Sequence, residues 1–132
     1  NNLNTAVMDY LLANSTFKDL PKEVTDYQVN QCLNYYYTMA QYYGYDLDSF
    51  LQAAAGYNSA DDLLDAMSDS ITEYAREALL YQAVAEAMDI APTQEQIDTY
   101  SAYTETYGAN YCTMVALMDA VSEALTTGAQ VK

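Results

Sequence analysis

SADDLLDAMSDSITEYAREALLYQAVAEAMDIAP, residues 59–92, decides the fold. Leu64, Met67, Ile71, Tyr74, Ala78, Tyr81, Ala85 and Met88 recur at alternating spacings of three and four. That spacing holds them on one side of an α-helix and suits packing along another helix. Ser59 with Asp62 resembles a capping box at the start, and Pro92 ends the run. A helix over 60–89 would be about 45 Å long at ~1.5 Å per residue. A compact chain of 132 residues has a diameter of only about 36 Å. The molecule is therefore expected to be elongated, with part of a helical hairpin projecting.

The flanking sequence is helical too. Two prolines and four glycines in the whole chain leave little material for strands and turns. Leu3, Val7, Tyr10 and Leu11 mark a first helix over 3–13. Pro21 suits the first turn of a second, which should reach Tyr43 and stop at Gly44. A short helix over DLDSFLQAAAG ends at Gly56. Beyond Pro92, Thr93 and Gln96 cap a helix over 94–107, ended by Gly108. A last one over 110–127 carries Tyr111, Met114, Met118, Val121 and Leu125 on one side and stops at Gly128.

The second helix contains NYYYTMAQYYGY, residues 34–45, with six tyrosines in twelve positions. Wound at ~100° per residue, Val29, Cys32, Leu33, Tyr35, Tyr36, Met39, Ala40, Tyr42 and Tyr43 cover about half the circumference. Tyr37 falls just beyond the edge. A surface helix needs an apolar stripe of only ~100° or a little more. The excess area either packs between two layers, stays in water as phenols soluble enough to need no partner, or faces other chains. Tyrosine suits the last use, because it offers large area at low side-chain entropy cost and a hydroxyl that stays hydrated.

Charge and residue types exclude several chemistries. There are 19 acids against 4 bases, a formal net charge of −15. Such a surface repels nucleic acid and anionic headgroups and tolerates basic polypeptides. The apolar fraction of 52% argues against simple disorder. Without histidine there is no Ser-His or Cys-His catalysis and no imidazole metal ligand. Cys32 and Cys112 stand far apart, outside any CxxC, and read as buried thiols or as a long-range disulfide. Asp46-Leu47-Asp48 opens like a calcium loop, but Leu51 and Tyr57 stand where glycine and glutamate are needed. Asp65, Asp69, Glu73 and Glu77 form a solvated acidic face, with Arg76 offsetting part of its repulsion. No catalytic residue, metal site or cofactor is expected. The opening, NNLNTAV, falls in mid-pattern, as a piece of a longer protein would.

The order of motifs resembles the C-terminal domain of trigger factor, the bacterial chaperone family. AVMDYLLANSTFKDLPKEV (6–24) looks like its helix, Leu-Pro and arm-helix passage, with Leu20 and Pro21 at the Leu-Pro. YYGYDLDSFL (42–51) is similar to its glycine, acidic turn and aromatic-leucine pattern, on Gly44, Asp46, Leu47 and Phe50. AREALLYQAVAEAMDIAPTQEQI (75–97) follows a third passage on Arg76, Leu79, Ala85, Glu86, Ile90, Thr93 and Ile97, and TYG (106–108) sits at a Tyr-Gly break. The resemblance implies an all-α, elongated multi-helix domain with projecting helical arms, covering 1–132 as one peptide-binding domain. In the family, prolyl isomerisation and ribosome docking belong to other domains, so neither is expected here. The family implies a cytoplasmic setting. The near absence of bases, with Tyr, Asn, Gln and Asp in their place, would instead suit a paralogue tethered at the cell surface.

Together these readings point to an ATP-independent domain that binds unfolded or nascent polypeptide on Tyr- and Met-lined inner faces of its arms. The expected lining is Tyr35, Tyr36, Met39, Tyr42, Tyr43, Met67, Tyr74 and Met118. Nucleic acid and direct membrane contact are not expected. The alternative is a non-catalytic structural module of a larger protein, in which the seam and the tyrosine helix bury each other or form a homodimer.

Overall fold

The computed structural model describes residues 2–128, apart from the side chains of Asn2 and Thr106; Asn1 and Lys132 lie outside the described residues. Every regular element among them is helical. They are α1 (Asn2–Asn14), α2 (Lys22–Tyr42), α3 (Leu47–Phe50) running into a π-helical turn (Leu51–Ala55), α4 (Ala60–Met88), α5 (Gln94–Ser101), α6 (Thr104–Tyr107) and α7 (Ala109–Gly128). The chain divides into two compact units, residues 17–76 and residues 1–16 with 77–132. Residues of α4 up to Arg76 belong to the first of these and those from Glu77 onward to the second.

In the 17–76 unit the chain reverses at capped helix ends. Pro21 precedes α2 with φ −56° and ψ 134°, outside the helical region, as its ring allows. At the other end Gly44 takes φ +76°. Its N–H reaches the Gln41 carbonyl at 3.0 Å and that of Tyr45 reaches Ala40 at 2.9 Å. This paired Schellman closure satisfies two carbonyls that the helix leaves open. Asp46 then caps α3, accepting the Ser49 N–H at 3.0 Å and the Ser49 hydroxyl at 2.6 Å, which holds its carboxyl below the usual range. The tight turn brings α3 against α2. Ala40, Phe50, Leu51, Leu63, Ile71 and Ala75 are buried here. Arg76 lies with its guanidinium 5.9 Å from the Phe17 ring centre, so its charge meets an aromatic face.

In the other unit α7 is the common partner of α1, α5 and α6. Cys112, Ala116 and Ala120, one turn apart, are buried along it with Val121. Small side chains let helix backbones approach closely, and the contact is then held by polar ties at its edge. Asn4 donates to the Ser122 hydroxyl at 3.1 Å, Gln96 donates to Glu123 at 3.0 Å, and the Tyr100 hydroxyl donates to Asp119. The last bond, with burial second, pushes the Tyr100 phenol up to about 12. Thr93 and Gln96 form the full capping box at the start of α5.

Several expectations are corrected. Leu63, not Leu64, is sealed on α4, while Tyr74 and Met88 on the expected seam are exposed. On α1, Met8 is buried and Tyr10 exposed. On α7 the expected large residues flank the line of small ones, and Tyr111, Met114, Met118 and Leu125 are half-buried. Asp62 accepts the N–H and side-chain amide of Asn58, both at 2.9 Å, so only the Ser59 half of the expected box forms. α4 stops at Met88, ahead of Pro92, because Asp89 takes a left-handed φ of 54° and Ile90 N–H closes on Ala85 at 2.8 Å. The helix expected over 94–107 is broken after Ser101, whose hydroxyl donates to the Asp98 carbonyl at 2.7 Å and competes with the helical ladder. Both thiols are free; Cys112 is buried and Cys32 half-buried. Asp65, Asp69 and Glu73 are exposed as expected, but Glu77 is half-buried.

Two stability predictions follow from these ends and charges. Left-handed backbone disfavours a residue with a Cβ by ~1 kcal/mol. No atom lies within 4 Å of a Cβ placed on Gly44. Gly44→Ala should therefore lose about 1 kcal/mol on backbone strain alone, and Asp89→Gly should gain about 0.5–1 kcal/mol. Urea unfolding at constant slope checks both; a stabilising Gly44→Ala would contradict the cap. The second concerns Glu77, whose carboxyl is pushed up by burial and then by the Asp9 charge. The folded chain binds that proton more tightly than the unfolded one, so ionisation costs stability above the folded pKa and the cost disappears as pH falls through it. Glu77→Gln should raise the melting temperature at neutral pH, and the gain should shrink to nothing in acid. A gain that persists undiminished in acid would rule out a charge effect.

Candidate functional site

The tyrosine-rich face of α2 can be covered only in part by its own unit. Tyr35, Tyr37, Tyr42 and Tyr43 are all exposed, Tyr42 the most at 81%. Their spacing places them on two sides of the helix. On one side Gln28, Gln31, Cys32, Tyr35 and Tyr36 line a groove whose facing wall is Met67, Ile71 and Tyr74 of α4. Its volume is about 290 Å³.

Tyr36 is the fixed element of the groove. Its ring meets Tyr35 edge-on at 5.3 Å between centres and meets Tyr57 edge-on at 6.3 Å. Edge-to-face contact is the favourable aromatic geometry and fixes both rings. Burial, and next the Tyr57 phenol, push the Tyr36 hydroxyl up, so it stays protonated and a donor. Tyr35 and Tyr74 keep more than half their surface in water, at 61% and 54%. Burial likewise raises the Cys32 thiol. No lining residue is charged. The groove thus offers two sulfur-bearing side chains, an isoleucine and three phenols for apolar contact. The amides of Gln28 and Gln31 and the hydroxyls can bond a main chain. The arrangement offers apolar contact and hydrogen bonds; it offers no nucleophile activated by a neighbouring base.

The groove brings together Tyr35, Tyr36, Met67 and Tyr74 of the expected lining. Met39 is half-buried on α2 outside it. Tyr42 and Tyr43 form a separate pair, edge-on at 5.1 Å, with Tyr43 stacked on Phe50 at 6.0 Å. Met118 belongs to the other unit, half-buried on α7. Gln28, Gln31 and Ile71 escaped the sequence reading as lining, and Cys32 was read only as part of the apolar arc. Their signal was present: residues 28, 31 and 35 are spaced as neighbours on one helical face. Tyr37 lies on the opposite side, in an open hollow of about 440 Å³ with Asn30, Gln31, Leu33, Asn34 and Leu47, and accepts the Gln41 amide at 2.7 Å.

Among the described residues no three or more acids or cysteines are grouped to hold a metal ion. No helix there is long and apolar enough to cross a membrane. Comparison with protein families matches residues 1–126 to the model described as bacterial trigger factor protein (TF) C-terminus. No curated protein matches, and no solved structure does.

Cys32 gives a direct probe of the groove. A neutral alkylating reagent should modify Cys32 before the buried Cys112, and more slowly than a free thiol. Because its thiol is raised, the rate should keep climbing with pH beyond the ordinary thiol range. Mass spectrometry of partly alkylated protein tests this; preferential labelling of Cys112 would show that the groove is closed in solution.

Proposed function

The chain belongs to the trigger factor C-terminal family, and from that premise we propose that it is a chaperone-type domain that holds unfolded polypeptide, without ATP, in the groove between α2 and α4. The observation that carries the reading is aromatic surface left in water beside an uncharged, partly apolar groove. Isolated exposed apolar residues are ordinary, but a contiguous cluster lining a groove marks an interaction surface.

Magnitudes support a weak, renewable grip. Two client side chains buried in the groove contribute roughly 3–6 kcal/mol. Association costs at least ~4 kcal/mol in lost freedom. The surplus from one such contact is small, so a client that folds or leaves needs no external energy for release. Met67 adapts its shape to different side chains, while Tyr36 fixes the floor. The residues proposed to touch clients are Tyr35, Tyr36, Met67 and Tyr74. Tyr42 and Tyr43 offer a second point of contact beyond the groove. The family relation supports a cytoplasmic setting and a non-catalytic role for this chain.

Aggregation of a chemically unfolded protein, followed by light scattering, tests the proposal. The Tyr35→Ser, Tyr74→Ser double variant alters exposed rings and should fold normally, with several-fold weaker protection. Tyr10→Ser, which changes an exposed ring of the other unit, should protect like the parent. Equal protection by the double variant would remove the groove from the function. A parent chain that protects no client would sink the chaperone reading itself.

A further inference from the structure

The side of α2 opposite the groove carries amides where charges would be ordinary. Residues 27–45 contain no lysine, arginine, aspartate or glutamate, although the chain as a whole has 19 acids. The carboxylates that border this stretch are engaged: Asp26 pairs with Lys22, and Asp46 is bonded to Ser49. Asn30, Asn34, Tyr37 and Gln41 follow at spacings of four, three and four, so they share one helical face. Asparagine is a poor helix former, because its side chain competes for backbone groups. Asn30 and Asn34 stand one turn apart inside α2, both exposed, where lysine or glutamate would serve the helix better. Departures of this kind from local preference concentrate at functional positions. Among the described residues nothing bonds the side chain of either asparagine. Both stand at the hollow of about 440 Å³, with Gln31, Leu33, Tyr37 and Leu47. That volume suits a small organic ligand. Leu33 and Leu47 are half-buried and give the hollow its apolar part. Tyr37 is 49% exposed, and its hydroxyl accepts the Gln41 amide at 2.7 Å. That bond steadies the ring and leaves the phenol O–H to donate.

We propose that this hollow binds a neutral saccharide, a short oligosaccharide of unmodified hexoses. An amide carries a donor and an acceptor side by side, and so matches a vicinal pair of sugar hydroxyls. Asn30, Gln31 and Asn34 supply three such amides around one hollow. A hexose ring also has an apolar face of C–H bonds, which packs against the electron-rich face of a phenol such as Tyr37. A purely apolar ligand would strip water from the amides and return no bond, a loss that a polyhydroxylic ligand avoids. Charge selects within the sugars. The lining offers no cation to hold a uronate or a sugar phosphate, and a chain of net charge −15 repels both. The hollow is open to water, so each sugar hydroxyl exchanges one partner for another and the affinity is modest. This site is distinct from the α2–α4 groove, which lies on the other side of α2 and holds no asparagine.

The test uses the whole chain and the neutral trisaccharide cellotriose, with trigalacturonate and the open-chain polyol sorbitol as comparisons. Binding is read by saturation transfer from the aromatic protons and by shifts of the asparagine side-chain amide signals in NMR. Cellotriose should receive saturation and move the Asn30 and Asn34 signals; trigalacturonate and sorbitol should do neither. Tyr37→Ser should weaken cellotriose by about fivefold. Asn34→Ala should weaken it by about threefold while raising the melting temperature, since alanine is the better helix former. Weaker binding by a more stable variant cannot come from unfolding. Tyr35→Ser with Tyr74→Ser should leave cellotriose binding unchanged, which separates the hollow from the groove. Absence of any cellotriose signal, an equal response to sorbitol, or unchanged affinity in both the Tyr37→Ser and Asn34→Ala variants would overturn the proposal. Displacement of cellotriose by an unstructured Ala-Gln peptide would overturn it too, and would assign the hollow to polypeptide.

Discussion

Close approach of helices on small side chains is the constraint from which the rest of this structure follows. Ala40 and Ala75 in one unit, and Ala85, Cys112, Ala116 and Ala120 in the other, occupy positions where a globular domain commonly places leucine or phenylalanine. Helices that meet on alanine leave little depth for rings: Phe50 and Tyr81 are buried, but most of the tyrosines go to the flanks, where a phenol keeps its hydroxyl in water while its edge covers a neighbour. A core of this kind is small, so specificity of packing shifts toward helix ends and polar ties. The Schellman closure at Gly44, the box at Thr93 and the bonds from Asn4, Gln96 and Tyr100 into α7 do that work.

The all-helical class and most helix ends could be read from sequence because they depend on local chemistry. Thr93 with Gln96, Asp46 before Ser49 and glycine at 44, 56 and 108 each determine geometry within a few residues. Faces were harder. The expected seam on α4 selects Leu64 where the structure seals Leu63, and the expected face of α1 omits Met8. Counting large apolar residues misleads when the contact is made by alanine, since alanine gives little signal in either direction. The break after Ser101 was hidden for a related reason: a serine hydroxyl in a helical pattern is neutral until it finds a carbonyl.

The candidate groove was legible only in part. Face arithmetic on α2 grouped Tyr35 and Tyr36, and the α4 seam supplied Met67 and Tyr74; the fold turns these two sets toward one another. The same arithmetic also admitted Tyr42 and Tyr43, because half a helix circumference of aromatic residues has more than one side. Choosing between the sides takes knowledge of where α3 lands. Phe50 stacks on Tyr43 and removes it from the groove wall. Met118 was grouped with these by residue type, and a thioether says nothing about which unit will contain it.

The scarcity of bases has a consequence for how the chain is digested. Lys18 and Lys22 stand just after the residue that opens the 17–76 unit, and Arg76 is the residue that closes it. Apart from Lys132 at the end of the sequence, a trypsin-like protease has no other peptide bond to attack. Limited proteolysis by such an enzyme is thereby steered to the margins of one unit: cleavage after Lys18 or Lys22 and after Arg76 separates the 17–76 unit nearly whole and leaves the other unit in two pieces.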